Sequence, residues 1–489
     1  MDVVELLAKT PTGLFISGEF VPGEGGETLT VTNPSDGTVL AEVASASADD
    51  VQRALDAAER AGKSWAATPA RERAEILRRA FELIIEHGEE LAWLQSLELG
   101  RALPDSRGEV AYGAEFFRWF AEEAVRIRGD YRHSPAGNAR IVVTHQPVGP
   151  CLAITPWNFP LAMGTRKLGP ALAAGCTMIV KPASKTPLTM LYLAKLLKEA
   201  GVPDGVVAVL PSKKASNISA LLDDPRLQKL TFTGSTEVGQ KLAAQAAQRS
   251  LRVSLELGGN APYIVLKDAD LEQAAQAVAV AKMRGAGQVC IAANRFLVHA
   301  DVAEEFIEKV SEVMASFHLG QATAEGVTFG ALSGDDQVDT VRSLVDDAVA
   351  AGATVALGGD VDKLPADLPQ GGSYYPATVL GNVPASAAIA NSEIFGPVVA
   401  VQTFREEAEA IAIANNTPFG LAAYVFAGDT GRALAVAEQI EAGMVAVNKG
   451  ALSDPAAPFG GVKESGLGRE GGFEGIYEYL EPKFISLPL

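Results

Sequence analysis

The sequence has few cysteines, few positive charges and no long apolar run, and each shortage excludes a class of protein. Three cysteines in 489 residues do not make a disulfide framework, which indicates a reducing compartment, the cytoplasm. No apolar run reaches about 18 residues and no basic segment opens the chain, so neither a spanning helix nor a signal peptide is expected. Lys and Arg number 41 against 60 Asp and Glu, and the net charge of −19 argues against a nucleic-acid or anionic-membrane partner.

The remaining composition is that of a large globular protein. Apolar residues make up 48% and charged residues 21% of the chain, ordinary values for a protein with a substantial core. After Pro150, short apolar strands alternate with helices, and the first four strands are predicted at residues 152–155, 177–180, 206–210 and 229–232. This alternation predicts a doubly wound parallel sheet. A second α/β unit follows it, with a helix predicted at residues 271–283.

One cysteine differs from the other two in its surroundings. Cys151 and Cys176 lie in apolar, strand-like segments, where a free cysteine behaves as a small core residue. Cys290 follows an open segment with two glycines, and Arg284 lies six residues upstream. A nearby cation lowers a thiol's pKa and makes it a nucleophile. From these features alone, Cys290 is either catalytic or structural.

Two further segments are candidates for binding a phosphate-bearing ligand. Gly234 and Ser235 follow a predicted strand and open a helix, whose first-turn N–H groups and dipole favour an anion; an ordinary Ser/Thr helix cap is the alternative. Lys181 closes a strand of the same predicted sheet, at the edge where such sheets bind ligands. A solvated loop lysine is the alternative there.

Seven motifs in order along the chain together resemble the aldehyde dehydrogenase superfamily. They are residues 155–160 (TPWNFP), 181–184 (KPAS), 232–236 (FTGST), 256–260 (ELGGN), 287–290 (GQVC), 393–397 (EIFGP) and 458–461 (PFGG). Within the superfamily, residues 165–167, 256–262 and 463–471 are most similar to the succinate-semialdehyde dehydrogenases, of the NADP-preferring type.

This resemblance implies two doubly wound α/β domains with a small β extension for oligomerisation. The expected cofactor-binding domain comprises residues 1–130 and 147–255, and residues 449–475 return to it. The expected catalytic domain is 256–448. Strands within 131–146 and 476–489 form the extension, because exposed strand edges seek partners, and the protein is expected to be a homodimer or homotetramer.

The resemblance also assigns catalytic roles. The thiolate of Cys290 attacks the aldehyde carbon and passes through a thiohemiacetal and a thioester. The Asn158 amide and the backbone N–H of Cys290 stabilise the oxyanion, and Glu256 activates water for deacylation. None of the five histidines lies in a motif, so a carboxylate base is expected, with a pKa raised by burial.

For the cofactor, the resemblance places Lys181 at the adenosine ribose, Gly234 and Ser235 at the pyrophosphate, and Glu393 at the nicotinamide ribose. Trp157, Leu257 and Phe395 complete the implied contacts. NAD-preferring members usually carry a glutamate three residues after the lysine. Here Ser184 stands in that position, which removes a repulsive carboxylate and predicts NADP over NAD.

For the substrate, Arg166, Arg284 and Ser453 match the positions that hold the distal carboxylate in succinate-semialdehyde dehydrogenases. The expected reaction is oxidation of succinate semialdehyde to succinate. Glutarate semialdehyde or another ω-carboxy aldehyde is the close alternative, and a binding protein of the same fold without turnover is the alternative of another class. No metal is expected, and Gly285, at a position usually held by asparagine, predicts a looser catalytic loop.

Overall fold

The computed structural model describes all 489 residues, and its first large sheet has eight strands. In chain order they are β1 (Leu14–Ile16), β2 (Glu19–Val21), β7 (Cys151–Ile154), β8 (Met178–Lys181), β9 (Val207–Val209), β10 (Lys229–Thr233), β11 (Arg252–Glu256) and β21 (Gly466–Leu467). Their order across the sheet is β2-β1-β9-β8-β7-β10-β11-β21. The five central strands are parallel, and β1, β2 and β21 add antiparallel edges.

The second large sheet has seven strands in the order β14-β15-β16-β13-β12-β18-β19. They are β12 (Ala261–Val265), β13 (Ala293–His299), β14 (Thr354–Leu357), β15 (Thr378–Gly381), β16 (Val398–Phe404), β18 (Ala422–Phe426) and β19 (Met444–Val447). Only the pair β14–β15 is antiparallel. The predicted α/β class with two mostly parallel sheets is confirmed.

Three small sheets complete the strand inventory. The strands predicted within residues 131–146 and 476–489 form one antiparallel sheet in the order β22-β6-β5. The strands outside the two large sheets are β3 (Thr28–Thr32), β4 (Val39–Ala44), β5 (Asp130–His133), β6 (Arg140–Pro147), β17 (Phe419–Gly420), β20 (Val462–Lys463) and β22 (Leu480–Leu487).

Sixteen α-helices cover the sheets. They are α1 (Val3–Lys9), α2 (Ala48–Ala67), α3 (Ala70–Glu86), α4 (Gly88–Leu99), α5 (Leu103–Ala124), α6 (Ala162–Ala174), α7 (Leu188–Ala200), α8 (Ala215–Ser219), α9 (Thr236–Ala247), α10 (Leu271–Ala281), α11 (Ala303–Ala315), α12 (Asp335–Ala350), α13 (Ala388–Asn391), α14 (Glu407–Asn415), α15 (Thr430–Ala437) and α16 (Glu474–Tyr477). No helix combines the length and apolar character needed to cross a membrane.

The central strands are buried on both faces, as parallel strands covered by helices must be, and this explains their continuous apolar runs. Two apolar cores of equal size, 49 residues each, lie on different sheets. Phe159, Ala162 and Met163 come directly after β7 of the first sheet but pack into the second core. The segment that carries Asn158 therefore joins the two units.

The sheet topology brings the motifs together at one edge. Asn158, Lys181, Thr233 and Glu256 lie at or just beyond the carboxyl ends of β7, β8, β10 and β11, which are parallel neighbours. In open α/β sheets, ligands bind in the crevice outside these strand ends. Cys290 precedes β13 of the second sheet, so the predicted nucleophile faces the crevice from the other unit.

Candidate active site

One cavity of about 230 Å³ collects the predicted catalytic residues. Its wall contains every residue predicted for chemistry or substrate binding, and all of the predicted cofactor residues except Lys181 and Ser184. These residues are Trp157, Asn158, Arg166, Gly234, Ser235, Glu256, Leu257, Arg284, Cys290, Glu393, Phe395 and Ser453. They come from both units of the fold, which is why no local segment of sequence reveals the cavity.

Asn158 is held firmly at the floor of this active-site cavity. It is buried, and its side-chain Nδ2 donates a hydrogen bond of 2.9 Å to the carbonyl of Gln288. An asparagine amide has two N–H groups, so a second donor remains for a ligand. Because Gln288 lies two residues before Cys290, the bond ties the amide to the loop that presents the thiol.

The backbone before Cys290 is unusual. The predicted helix at residues 271–283 ends at Ala281, and a 3₁₀ turn follows at Arg284–Gly287. Gly285, Ala286 and Gly287 have φ values of 59°, 54° and 78°, in the left-handed region. Such residues are incompatible with a continuing helix, so the chain turns and delivers Cys290 to the cavity.

Gly285 is hydrogen-bonded to a neighbouring helix. Its backbone N–H donates to the carboxylate of Asp105 at the start of α5. A Cβ atom at position 285 would lie 3.2 Å from Arg101 Nη2. A carboxylate of α5 therefore anchors the turn, and the expectation of a looser loop stays a prediction.

The thiol of Cys290 is not activated by its cations alone. The sulfur is partly exposed through the cavity, yet the protein around it displaces most of its water. This desolvation raises the pKa of the Cys290 thiol to about 12, and the opposing attraction of Arg166 and, more weakly, Arg284 does not overcome it. Arg284 does lower the pKa of the thiol as expected, but its effect is smaller than that of desolvation, so the thiol needs a base to remove its proton.

Glu256 has the properties expected of that base. It is 3% exposed and closes β11, and its Oε2 has no hydrogen-bond partner. Burial raises the pKa of Glu256 well above the ordinary value, and the charge of Glu470 raises it further. The pKa therefore moves in the direction that a general base working near neutral pH requires.

Lys167 and Glu470, two charged residues behind Glu256, were not predicted from the sequence as part of the site. Lys167 Nζ contacts Glu470 Oε1 and lies 2.7 Å from Thr233 Oγ1, and all three groups are buried. Burial disfavours the ionised Glu470, but Lys167 and Arg166 outweigh it and hold the pKa of Glu470 at about 2. The sequence signal for this ion pair was the two adjacent cations Arg166 and Lys167 in α6. All residues of that helix are buried, and buried charges are almost always paired.

The distal end of the cavity carries two guanidinium groups. Arg166 Nε donates to Glu470 Oε2 at 2.6 Å, whereas its Nη2 lies equally close but is not aligned for a hydrogen bond. Arg284 lies 3.4 Å from Ser453 Oγ, and its Nε is buried without a partner. Arg284 therefore keeps an unused donor beside a largely apolar wall, whereas Arg166 is paired with Glu470, which it shares with Lys167.

The edge formed by α9 has the features of a phosphate site. Ser235 is its N-cap residue but makes no side-chain capping bond, so its hydroxyl is free. The hydroxyl of Thr236 is buried without a hydrogen-bond partner. Nearby, Glu393 accepts a bond of 3.4 Å from the Gly259 N–H, and burial raises its pKa to about 7.

Lys181 and Ser184 lie outside the wall of the active-site cavity but on the same edge of the sheet. Lys181 ends β8, two strands from β10, and burial lowers the pKa of its ammonium. Ser184 follows in the next loop and donates a bond of 3.3 Å to the Ser212 carbonyl. No carboxylate side chain is hydrogen-bonded to either residue.

Comparison with known proteins agrees with this arrangement. A family model described as "Aldehyde dehydrogenase family" matches residues 20–485. A succinate-semialdehyde dehydrogenase of Paenarthrobacter nicotinovorans is 53% identical over 450 residues, which cover 92% of this chain and 99% of that protein. A glutarate-semialdehyde dehydrogenase of Pseudomonas aeruginosa is 46% identical, with 97% of each chain covered. A crystal structure described as an NADP-dependent enzyme of E. coli superimposes with a TM-score of 0.96 at 45% identity, covering 99% of both chains.

Proposed function

Because the chain belongs to the aldehyde dehydrogenase family, it is an oxidoreductase, and we propose that it oxidises succinate semialdehyde to succinate with NADP. The observation that carries the substrate assignment is the pair of guanidinium groups in the cavity that also holds Cys290: Arg284 keeps an unused donor, and Arg166 shares the single carboxylate of Glu470 with Lys167. A buried donor without a partner costs free energy unless a ligand satisfies it. A short aldehyde with a carboxylate at its other end supplies the missing acceptor.

The chain's own residues perform the covalent steps. Glu256 takes the proton of the Cys290 thiol, and the resulting thiolate attacks the aldehyde carbon. The second N–H of the Asn158 amide and the backbone N–H of Cys290 stabilise the oxyanion that forms. A nicotinamide cofactor bound here would supply the hydride acceptor for oxidation of the thiohemiacetal to a thioester. Glu256, after passing the thiol proton to solvent, activates a water molecule that hydrolyses the thioester, releases the acid and frees the thiol.

The residues present fit a dinucleotide cofactor. The free hydroxyl groups of Ser235 and Thr236 lie at the start of α9, beside its first-turn N–H groups. This combination of donors suits a pyrophosphate. Lys181 would approach the adenosine ribose and Glu393 the nicotinamide ribose. Gly234, Trp157, Leu257 and Phe395 would line the path between the two ends. The preference for NADP rests on Ser184, because a hydroxyl there does not repel a 2′-phosphate.

The assay that tests the substrate assignment compares carboxylated with uncharged aldehydes. We expect kcat/KM for succinate semialdehyde to exceed that for propanal by about 10²-fold, since a charged hydrogen bond contributes roughly 1.5–3 kcal/mol. Glutarate semialdehyde is the competitor, because one methylene changes discrimination by only about 1–3 kcal/mol and a relative bears that name. Equal values for propanal and both semialdehydes would show that the guanidinium groups bind no carboxylate.

Substituting Arg284 separates substrate binding from chemistry. Arg284→Met is expected to lower kcat/KM for succinate semialdehyde by about 10–100-fold and to leave kcat/KM for propanal nearly unchanged, because only the first substrate loses an ion pair. Arg284 is a cleaner probe than Arg166, whose removal would leave the buried Glu470 with a single cation. The control is Arg405→Met, which removes an exposed arginine of the same unit. A parallel loss for both aldehydes would contradict the assignment.

Substituting Ser184 tests the cofactor preference. Ser184→Glu is expected to lower kcat/KM for NADP by about tenfold or more and to favour NAD, because a carboxylate repels a 2′-phosphate over a few ångströms. Ser184→Gln has nearly the same side-chain length without the charge and is the matched control. If both variants change NADP use equally, the effect is steric and Ser184 does not set the preference.

Assembly and location complete the proposal. We propose a cytoplasmic homodimer or homotetramer that associates through the three-stranded sheet. Its outer strand β22 pairs on one side only, and Phe484 on that strand is 62% exposed. Apolar side chains on an open strand edge are a ready surface for a second copy. All three cysteines are free, which suits a reducing compartment.

A further inference from the structure

Arg101 is a buried cation that does not line the active-site cavity. It lies between α4 and α5 and is 4% exposed. Gly100, just before it, has a φ of 77°, and the peptide that follows packs against Gly330 and Ala331. The segment is therefore wedged between the first unit and a loop of the second.

The guanidinium of Arg101 holds the Asn158 segment on one side. Its Nη2 donates to the backbone carbonyl of Asn158, and its Cζ lies 4.2 Å from the centre of the Phe159 ring. The carbonyl bond acts on the same residue whose side chain is tied to Gln288. Arg101 thus fixes the backbone from which one oxyanion donor projects.

The same residue reaches the turn before Cys290. Arg101 Nε lies 3.8 Å from Asp105 Oδ2, and that oxygen accepts the N–H of Gly285. Asp105 and Arg101 together fix the first left-handed residue of the turn that delivers the second oxyanion donor, the N–H of Cys290. The side chain of Asp105 is 22% exposed, whereas that of Arg101 is 2% exposed.

A third contact extends to the helix that carries Arg166. Arg101 Nη1 pairs with Glu109 Oε2, and Glu109 Oε1 accepts the backbone N–H groups of Leu161 and Ala162 at 3.0 and 3.1 Å. These are N–H groups at the start of α6, where intrahelical acceptors are missing. One guanidinium therefore links two segments that line the cavity: the run from Asn158 to the start of α6, and the turn before Cys290.

We propose that Arg101 is a positioning residue that keeps the Asn158 amide and the Cys290 turn at a fixed separation for oxyanion stabilisation. The inference rests on the roles proposed above for Asn158 and Cys290, and it adds a residue that touches neither substrate nor cofactor. A displacement of about 1 Å in such a site costs about 10²-fold in rate. Fixed donors are effective because they need no rearrangement as charge develops.

The first test is Arg101→Met, which keeps the length of the aliphatic chain and removes the donors. We expect kcat for succinate semialdehyde to fall by about 10²-fold, while KM and the dissociation constant for NADP stay within about threefold of the wild-type values. Arg101→Lys keeps the charge but lacks the planar fork, so it should recover only part of the loss. Arg107→Met is the control, because it removes from the adjacent helix α5 an exposed arginine that pairs with Glu89.

A double-mutant cycle separates positioning from general destabilisation. In an Asn158→Ala background, Arg101→Met should lower kcat by about tenfold or less instead of about 10²-fold, because one of the two donors that it positions is already absent. Independent structural damage would instead multiply the two losses. Additive free-energy effects, or a kcat for Arg101→Met within threefold of the wild type, would overturn the proposal.

If Arg101→Met does not fold, the same cycle is run with Arg101→Lys, which leaves Glu109 paired with a cation, and its additivity decides in the same way. The activity of the wild-type protein distinguishes a failure of the proposed function from a failure of the role of Arg101. A wild-type protein without activity on any ω-carboxy aldehyde refutes the proposed function. An active wild type with an additive cycle refutes only the role of Arg101.

Discussion

Cys290→Ser is expected to reduce the formation of reduced cofactor by at least about 10³-fold. A serine hydroxyl is a much weaker nucleophile than a thiolate, and no histidine lines the active-site cavity to activate it. The expected variant folds normally, because oxygen replaces sulfur at a position that is already partly exposed to the cavity. Absorbance of the reduced nicotinamide at saturating aldehyde measures the effect directly.

Cys151→Ala is the matched control for this experiment. Cys151 is fully buried in β7 and lies among core residues of the first unit. Its removal should lower thermal stability modestly and leave kcat within about twofold of the wild type. A Cys290→Ser protein that keeps more than about a tenth of the wild-type rate would show that the reaction needs no thiol.

The sequence was sufficient for the general architecture because parallel strands are read from local patterns. The four strands predicted after Pro150 all form, and no end is shifted by more than one residue. The predicted helix at 271–283 ran two residues too far. The left-handed backbone at Gly285, Ala286 and Gly287 ends the helical region. An alanine does not indicate a positive φ in a sequence, so this backbone could not be predicted at Ala286.

The site could be predicted only where a role belongs to a single motif. Cys290, Glu256 and Asn158 were each recognisable, and the fold brings them to one cavity. The ion pair between Arg166 and Glu470 spans 304 residues of sequence and was missed. Such contacts are set by tertiary packing, which no local pattern encodes.

The direction of the pKa shift of the Cys290 thiol also could not be predicted from the sequence. From the sequence, only the cation Arg284 is visible near Cys290, and a cation alone lowers a thiol's pKa. The structure adds the desolvation of the sulfur, which has the opposite sign and the larger magnitude. Because the thiol is protonated at neutral pH, the reaction depends on a base that removes its proton. Glu256 is the carboxylate in the cavity with an unpaired oxygen.

Glu256→Gln is therefore expected to lower kcat by about 10³-fold, within the range of about 10²–10⁴ for losing a general base. The variant also changes the pH dependence. In the wild type, burial and then Glu470 raise the pKa of Glu256, so the ionised base is lost as pH falls through a pKa well above the ordinary value. The rate of the wild type should accordingly rise with pH on an acid limb that the variant lacks.

The measurement is kcat for both proteins from about pH 5.5 to about pH 9.5, together with the first turnover after rapid mixing. A burst of reduced cofactor that survives in Glu256→Gln limits the role of Glu256 to hydrolysis of the thioester, whereas loss of the burst adds removal of the thiol proton. Glu237→Gln, on the exposed first turn of α9, is the control for a lost carboxylate. An acid limb that persists unchanged in Glu256→Gln would assign the base to another group, and the orphaned oxygen of Glu256 would then need a different explanation.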